Sequence, residues 1–260
     1  MSNRPRDTGS SRRPSPVQHG YFWLSSRPLH VLVFLIPVIA AAELGVLGIG
    51  GEDIRTHLVA HRMLVRFFET FGVLGLHLPA LALVVALVIQ HLLSRDRWRI
   101  EPIVPLAMVV ESALLTGPLL ILVLLLQPDS ALAAAVQDAG PAADPRSGVL
   151  LALGAGLYEE MLFRLVLITA LHFVAADLLR LPDAGAKVLA IAVSAALFAA
   201  YHDTALPSGA TDWRLFSFCV LAGIYFGVLF LGRGLGIAVG VHACYDLLVL
   251  VVMAPPPATG

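Results

Sequence analysis

The chain has little charge and little cysteine, and each shortage excludes a class of protein. Only 13% of its 260 residues are charged, about half the share of an ordinary soluble domain. The formal net charge is −1, so there is no excess of basic residues from which to build a nucleic-acid-binding face. The two cysteines, Cys219 and Cys244, lie in apolar stretches. They therefore exclude a disulfide framework and a cysteine-rich zinc site.

Hydrophobic residues, by contrast, make up 58% of the chain, and its mean hydropathy is +0.85. A spanning helix needs about 20 apolar residues. The sequence therefore predicts an all-α fold, a polytopic transmembrane helix bundle of about seven spans. The predicted spans are residues 29–49, 73–93, 103–126, 149–176, 187–201, 215–231 and 235–253.

These spans divide the chain into three predicted regions. Residues 1–28 are rich in Ser, Pro and Arg without an apolar core, which predicts a disordered basic tail rather than a cleavable signal peptide. Residues 29–148 hold the N-terminal transmembrane helices, and residues 149–253 form a second helix bundle. Within the first bundle, residues 51–72 place apolar and basic side chains on opposite faces of a helix. That pattern predicts a helix lying in the membrane interface.

The sequence also predicts a location and an orientation. Basic residues crowd the loops on the cytoplasmic side of a membrane. With the N-terminus inside, we count eleven basic residues in inner segments and five in outer ones. Seven spans would then place the C-terminus outside. We expect an integral, multi-pass protein of a bacterial cytoplasmic membrane.

The fourth predicted span carries the most costly residues of the chain, Glu159, Glu160 and Arg164. An ionisable group at the bilayer centre costs about 2.5–3.5 kcal/mol. Glu160 and Arg164 stand at i, i+4 with the acid first, the favourable order for an intrahelical pair. A buried ion pair that holds the bundle together explains those two residues. It does not explain Glu159, which has no obvious local partner.

Two later spans carry further polar groups. His202 follows Phe198 at i, i+4 near the end of the fifth predicted span, and His242 precedes Asp246 at the same spacing in the seventh. A single histidine in a membrane helix usually bonds a neighbouring helix. Two histidines with acids on two helices form a titratable cluster in a low-dielectric setting, which is typical of catalytic sites and of proton pathways.

The segment Glu159-Glu160-Met161-Leu162-Phe163-Arg164 resembles the EExxxR motif of the CPBP family of intramembrane proteases, which includes the CAAX prenyl proteases, Abi proteins and bacteriocin-processing proteins. Phe198 to His202 resembles the second motif of that family, FxxxH. His242 to Asp246 resembles the third, HxxxN, with Asp where Asn is usual. The three motifs stand in the order of the family, each on its own span.

The resemblance implies an intramembrane endopeptidase that uses glutamate-activated water, with residues 149–253 as its catalytic bundle. Glu159 would be the general base, and His202 would help to hold the water. Glu160 and Arg164 would order the site, while His242 and Asp246 would face the scissile carbonyl. We expect no cofactor. A divalent metal such as zinc, held by Glu159, His202 and His242, is the alternative.

The expected partners are the lipid bilayer and a peptide or protein substrate, either lipid-modified or membrane-anchored, and not a nucleic acid. Two functions from other classes remain open. Glu43 and Glu111, in the first and third predicted spans, would suit a proton-coupled transporter or ion pathway. Asp246 in place of Asn leaves open a catalytically silent scaffold or immunity protein.

Overall fold

The computed structural model of the protein describes residues 20–48, 57–126, 145–206 and 208–253. Within these ranges the chain forms helices and a single isolated β-bridge. The predicted all-α bundle is therefore confirmed. In chain order the helices are α1 Tyr21–Ser25, α2 Pro28–Val46, α3 Val59–Thr70, α4 Leu78–Ser94, α5 Ile103–Leu126, α6 Pro145–Leu178, α7 Asp183–Tyr201, α8 Trp213–Arg233 and α9 Leu235–Val252.

Six of the described helices are long and apolar enough to cross a membrane. The sequence predicted about seven spans, and the second of them corresponds to α4, a shorter apolar helix of 17 residues. It is shorter than predicted because it begins only at Leu78, and it ends at Ser94, where Arg95, with a φ of 54°, adopts the left-handed conformation that closes many helices.

Helix α3 is the amphipathic segment that the sequence predicts near residues 51–72. Residues 51–56 lie outside the described ranges, and the helix itself begins at Val59. Its face containing Ala60, His61 and Leu64 is buried, while Phe67 is exposed. The one-sided burial agrees with a helix that lies on the bundle rather than crossing the bilayer.

Part of the stretch predicted to be disordered is helical. Residues 1–19 lie outside the described ranges, but Tyr21–Ser25 form helix α1. The prediction of disorder through residue 28 is wrong for this stretch. Tyr21 donates a hydrogen bond to Glu111, and Arg233 donates to Ser25 Oγ at 2.8 Å. Glu111 lies in α5 and Arg233 lies in α8, so the sequence of the tail alone does not indicate these partners.

Helix α9 forms the centre of the bundle, because two thirds of its spanning segment (67%) is buried. It packs against α6, α5, α8 and α2. Its contact with α6 is very close at Gly156, where a Cβ atom would lie 2.8 Å from the backbone nitrogen of Ala243. Small residues at such crossings let membrane helices approach each other. This crossing brings Glu159 and Glu160 beside His242.

Candidate active site

Glu160 and Arg164 form the ion pair that their spacing predicts. Oε1 of Glu160 lies 3.1 Å from Nη1 of Arg164, and neither side chain is exposed to solvent. The guanidinium carbon lies 4.5 Å from the ring centre of Phe198 and 5.0 Å from that of Phe226. The arginine is thus held by one carboxylate and two aromatic faces. Its positive charge therefore lies against the carboxylate of Glu160 rather than facing an open cavity.

The helix around this pair is not a regular α-helix. From Met161 to Ile168 the backbone of α6 is π-helical, and this stretch begins directly after Glu160. Single-turn π segments inside α-helices occur frequently at functional sites. Here the irregular turn carries Arg164.

Glu160 has a second partner in the central helix. Nδ1 of His242 lies 2.8 Å from Oε1 of Glu160, and since an ionised carboxylate can only accept, the imidazole donates. Asp246 is 3.6 Å from Nε2 of His242, which is too long for a hydrogen bond. The imidazole therefore hydrogen-bonds Glu160 and not Asp246. Because α6 and α9 cross closely, Glu160 is the carboxylate that lies next to the imidazole.

His202 follows the last residue of α7. Its Nδ1 lies 2.8 Å from the carbonyl oxygen of Phe198, an acceptor, so this nitrogen carries a proton. The neutral ring then has its lone pair on Nε2. That atom is 3.8 Å from Oε2 of Glu159.

Glu159 lies where the three helices meet. Its Oε2 atom is 3.8 Å from Nε2 of His202 and 3.8 Å from Nε2 of His242. This oxygen is buried and accepts no hydrogen bond from the described residues. The predicted convergence of Glu159, His202 and His242 on one site is confirmed, and each separation is short enough for one water molecule to bridge.

These side chains open into a cavity of about 430 Å³, within the usual range for small-ligand sites. One part of its wall is ionisable and the rest is apolar. The acidic and histidine residues of the lining are His57, Glu159, His202, Asp203, His242 and Asp246. The apolar lining residues include Leu119, Leu151, Leu215, Phe218, Cys219, Ala222, Phe226, Val249 and Leu250.

Helix α3 closes one side of the cavity, which the sequence did not predict. His57 and Val59 line the cavity, and the Ala60 amide donates to the Tyr201 hydroxyl at 3.0 Å. His61 is buried, with Nε2 2.9 Å from the Leu76 carbonyl oxygen. His61 thus faces the bundle rather than the polar side of the amphipathic helix. Among the residues of this side of the cavity, only Tyr201 could have been suspected from the sequence, because it stands next to His202.

The site has the kinds of side chain that bind zinc, but their donor atoms do not stand at the separations found around a zinc ion. Two imidazoles and a carboxylate form a known catalytic zinc set, whose donors stand about 3.3 Å apart around a tetrahedral ion. Oε2 of Glu159 is 3.8 Å from each imidazole. Among the described residues, no group of three His, Cys, Asp or Glu side chains is arranged to hold a metal ion.

Glu43 and Glu111 have structural partners. Glu43 accepts a hydrogen bond from the Tyr158 hydroxyl at 2.5 Å and pairs with His77. Glu111 pairs with Arg233 at 2.7 Å and accepts from Tyr21. Both acids join separate helices, so the structure gives them the role of interhelical hydrogen bonding.

A comparison with protein families addresses the same segment of the chain. Residues 142–248 match the family model described as type II CAAX prenyl endopeptidase Rce1-like. The resemblance to the CPBP family is confirmed over this segment. The Rce1-like match includes all six predicted site residues, from Glu159 to Asp246. No curated protein and no solved structure matches the chain.

The Rce1-like match supports, at the level of the family, an intramembrane protease of the CAAX type and therefore a hydrolase. Together with six apolar helices, it supports an integral, multi-pass membrane protein. A lipid bilayer and a peptide substrate fit this general activity.

Proposed function

We propose that the protein is an intramembrane endopeptidase in which Glu159 activates a water molecule that attacks a peptide bond. One observation carries the proposal. A buried carboxylate oxygen of Glu159 has no hydrogen-bond partner among the described residues and lies 3.8 Å from two imidazole nitrogens. Buried polar groups are nearly always satisfied, and those that are not often serve catalysis or bind an unseen water.

The proposed chemistry begins at Glu159. Its carboxylate takes a proton from the bridging water, and the hydroxide attacks the scissile carbonyl carbon. Glu159 then returns the proton to the nitrogen of the scissile bond, the C–N bond breaks, and the products are an amine and a carboxylic acid, which ionises. His202 holds the water through Nε2, because its Nδ1 is occupied by the Phe198 carbonyl.

His242 is the proposed donor to the oxyanion. When both of its ring nitrogens carry protons, Nδ1 donates to Glu160 and Nε2 points toward Glu159 and Asp246 at the cavity. A fixed donor in a site that excludes water stabilises developing charge more strongly than one in solvent. Glu160 and Arg164 act as positioning residues, since both are fully buried and reach the cavity only through other side chains.

We propose the reaction without a cofactor, since the donors stand farther apart than a zinc site requires. If a divalent metal binds, Glu159, His202 and His242 would hold it, and it would act as a Lewis acid toward the carbonyl oxygen. We place the protein in a bacterial cytoplasmic membrane, for which a multi-pass helix bundle is suited. Its partner is a membrane-anchored or lipid-modified peptide.

No observation favours transport, because the two acids that would form an ion pathway, Glu43 and Glu111, are used in interhelical contacts. The test is peptidase activity. The protein, purified in a nonionic detergent, is incubated with a set of membrane peptides, and the products are identified by mass spectrometry. We expect cleavage by the wild type and not by Glu159→Gln. A folded wild-type protein that cleaves nothing, or an active Glu159→Gln variant, would contradict the proposal.

A further inference from the structure

Tyr201, the last residue of α7, lines the cavity and also contacts α3. Its hydroxyl oxygen accepts a hydrogen bond from the backbone amide of Ala60 at 3.0 Å. Ala60 lies in the first turn of α3, where amides have no acceptor within their own helix. The side chain of Leu58, the residue before this helix, makes no capping hydrogen bond. The Tyr201 hydroxyl therefore caps the beginning of α3.

The ring of Tyr201 is held in place by two aromatic neighbours. Its centre lies 5.2 Å from that of Phe163 and 5.1 Å from that of His202, with both pairs edge to face. Aromatic rings attract each other in this arrangement. Phe163 belongs to the π-helical stretch that follows Glu160. Contacts on the ring and on the hydroxyl oxygen thus fix the place of the phenol.

The hydroxyl proton of Tyr201 remains available for a second hydrogen bond. A phenol donates one proton and accepts through its oxygen, and the Ala60 amide uses only the oxygen. Two charged side chains act on this hydroxyl, those of Glu159 and Arg62. A guanidinium can only donate, and Arg62 is exposed on α3. Glu159 is therefore the charged acceptor within reach of the proton.

A hydrogen bond from Tyr201 would orient the carboxylate of Glu159. Its Oε2 atom is buried without a donor from the described residues and lies 3.8 Å from Nε2 of both His202 and His242. A carboxylate without a donor can rotate about its terminal bond. A donor on the second oxygen would keep Oε2 directed at the two imidazoles. Holding a reacting group in its productive orientation is a large part of catalysis.

We propose that Tyr201 is a positioning residue, whose hydroxyl donates a hydrogen bond to the Glu159 carboxylate and is itself held by the Ala60 amide of α3. The inference rests on the proposed endopeptidase function, to which it adds the residue that orients the general base. Tyr201 acts through Glu159 and does not touch the reacting atoms. It makes the amphipathic helix α3 part of the active site.

The first test measures the hydrogen bond and does not require cleavage. The infrared band of the protonated Glu159 carboxyl group is identified in the full-length protein as the band that Glu159→Gln lacks. Its pH titration is compared between the wild type and Tyr201→Phe. A hydrogen-bond donor favours the ionised carboxylate. Without the hydroxyl, the carboxyl group should stay protonated to a pH that is higher by about one unit.

Tyr225→Phe is the matched control. The Tyr225 hydroxyl donates to the Leu115 carbonyl oxygen at 2.7 Å and joins α8 to α5, and Tyr225 is not among the residues that line the cavity. Each variant loses one interhelical hydrogen bond, so we expect similar small decreases in the unfolding midpoint. Only Tyr201→Phe should move the titration. All three proteins share the other charged groups around Glu159, which are Glu160, Arg164, His202, Asp203, His242 and Asp246, with His57 and Arg62 at α3.

The second test measures cleavage of a membrane peptide. In Tyr201→Phe we expect kcat to fall by about 10- to 100-fold, the range for a hydrogen bond to a charged group. KM should stay within about twofold, because the base is displaced and the binding of the substrate is not. Tyr225→Phe should keep the wild-type kcat, and the acid limb of the pH profile should move to higher pH in Tyr201→Phe alone.

The outcomes separate this inference from the function on which it rests. An unmoved titration in Tyr201→Phe, or a fall in kcat that Tyr225→Phe shares, would overturn the inference. If the wild type still cleaves peptides, the endopeptidase function would stand. A shifted titration in a protein that cleaves nothing would support the hydrogen bond between Tyr201 and Glu159 and contradict the endopeptidase function.

Discussion

His242 donates a hydrogen bond from Nδ1 to Oε1 of Glu160 across 2.8 Å, and this contact joins α9 to α6. The same oxygen lies 3.1 Å from Arg164. One buried carboxylate thus holds both the imidazole that faces the cavity and the arginine behind it. The second glutamate of the EExxxR motif is therefore expected to position the site rather than to react.

Glu159→Gln should abolish the base while keeping the shape of the side chain. We expect peptidase activity to fall by about 100-fold or more, with the thermal unfolding midpoint unchanged because Oε2 of Glu159 bonds to no described residue. Initial rates and differential scanning fluorimetry check the two parts. A comparable loss of stability would show that Glu159 supports the fold.

Glu160→Gln and Asp246→Asn separate the two carboxylates near His242. In Glu160→Gln the amide can present its NH₂ group to Nδ1 and favour the wrong tautomer, so we expect a loss of about 100-fold in kcat. Asp246 does not hydrogen-bond the ring, and Asp246→Asn should stay within about tenfold of the wild type. The reverse order of effects would assign the orienting role to Asp246.

Arg164→Ala should lower stability as well as activity. Removing one member of a fully buried pair leaves the other charge uncompensated, which costs about 3–5 kcal/mol in free energy of unfolding. Denaturant unfolding in mixed micelles measures this loss. The double variant Glu160→Gln/Arg164→Met has no buried charge at these positions, and it should recover part of the stability but none of the activity.

Gly156→Ala should disturb the crossing of α6 and α9. The added Cβ would lie 2.8 Å from the Ala243 backbone nitrogen, so the helices must separate at an expected cost of about 1–3 kcal/mol. Gly185→Ala is the control, because no atom lies within 4 Å of its Cβ position. The unfolding midpoints of both variants are compared. A wild-type midpoint for Gly156→Ala would contradict the close packing.

Asp96 should make stability depend on pH outside the membrane segments. Burial raises the pKa of Asp96, but hydrogen bonds from Arg27 and Ser94 outweigh it and hold the pKa below its usual range. A depressed pKa in the folded state stabilises the protein above the unfolded pKa of about 3.9. This contribution is lost as the pH falls through the folded value. Unfolding midpoints measured below about pH 5 should therefore fall less steeply in Asp96→Asn than in the wild type.

The control for this prediction is Arg27→Gln, which removes the main hydrogen-bond donor, at 2.6 Å from Asp96. It should flatten the acid-side decline as Asp96→Asn does. The double variant should resemble either single variant. An unchanged decline in Asp96→Asn would show that other groups cause the loss.

Local patterns in the sequence predicted a large part of this protein. Apolar runs identify spanning helices because each such helix satisfies its own backbone hydrogen bonds, and six of the seven predicted spans have helices of sufficient length. The i, i+4 spacing predicted the Glu160–Arg164 pair, because helical geometry alone places those side chains together. Because it is costly to bury polar side chains alone, the sequence predicted that Glu159, His202 and His242 would lie close together.

Only the tertiary structure decided which groups meet across helices. Asp246 is near His242 in the chain, yet Glu160 from another helix holds the imidazole. His57 and Val59 reach the cavity although they lie about 100 residues before Glu159. Such contacts depend on how closely two helices cross, and that distance is set where small residues such as Gly156 and Ala243 face each other. Periodicity within one helix carries no information about the residue that faces it on the next.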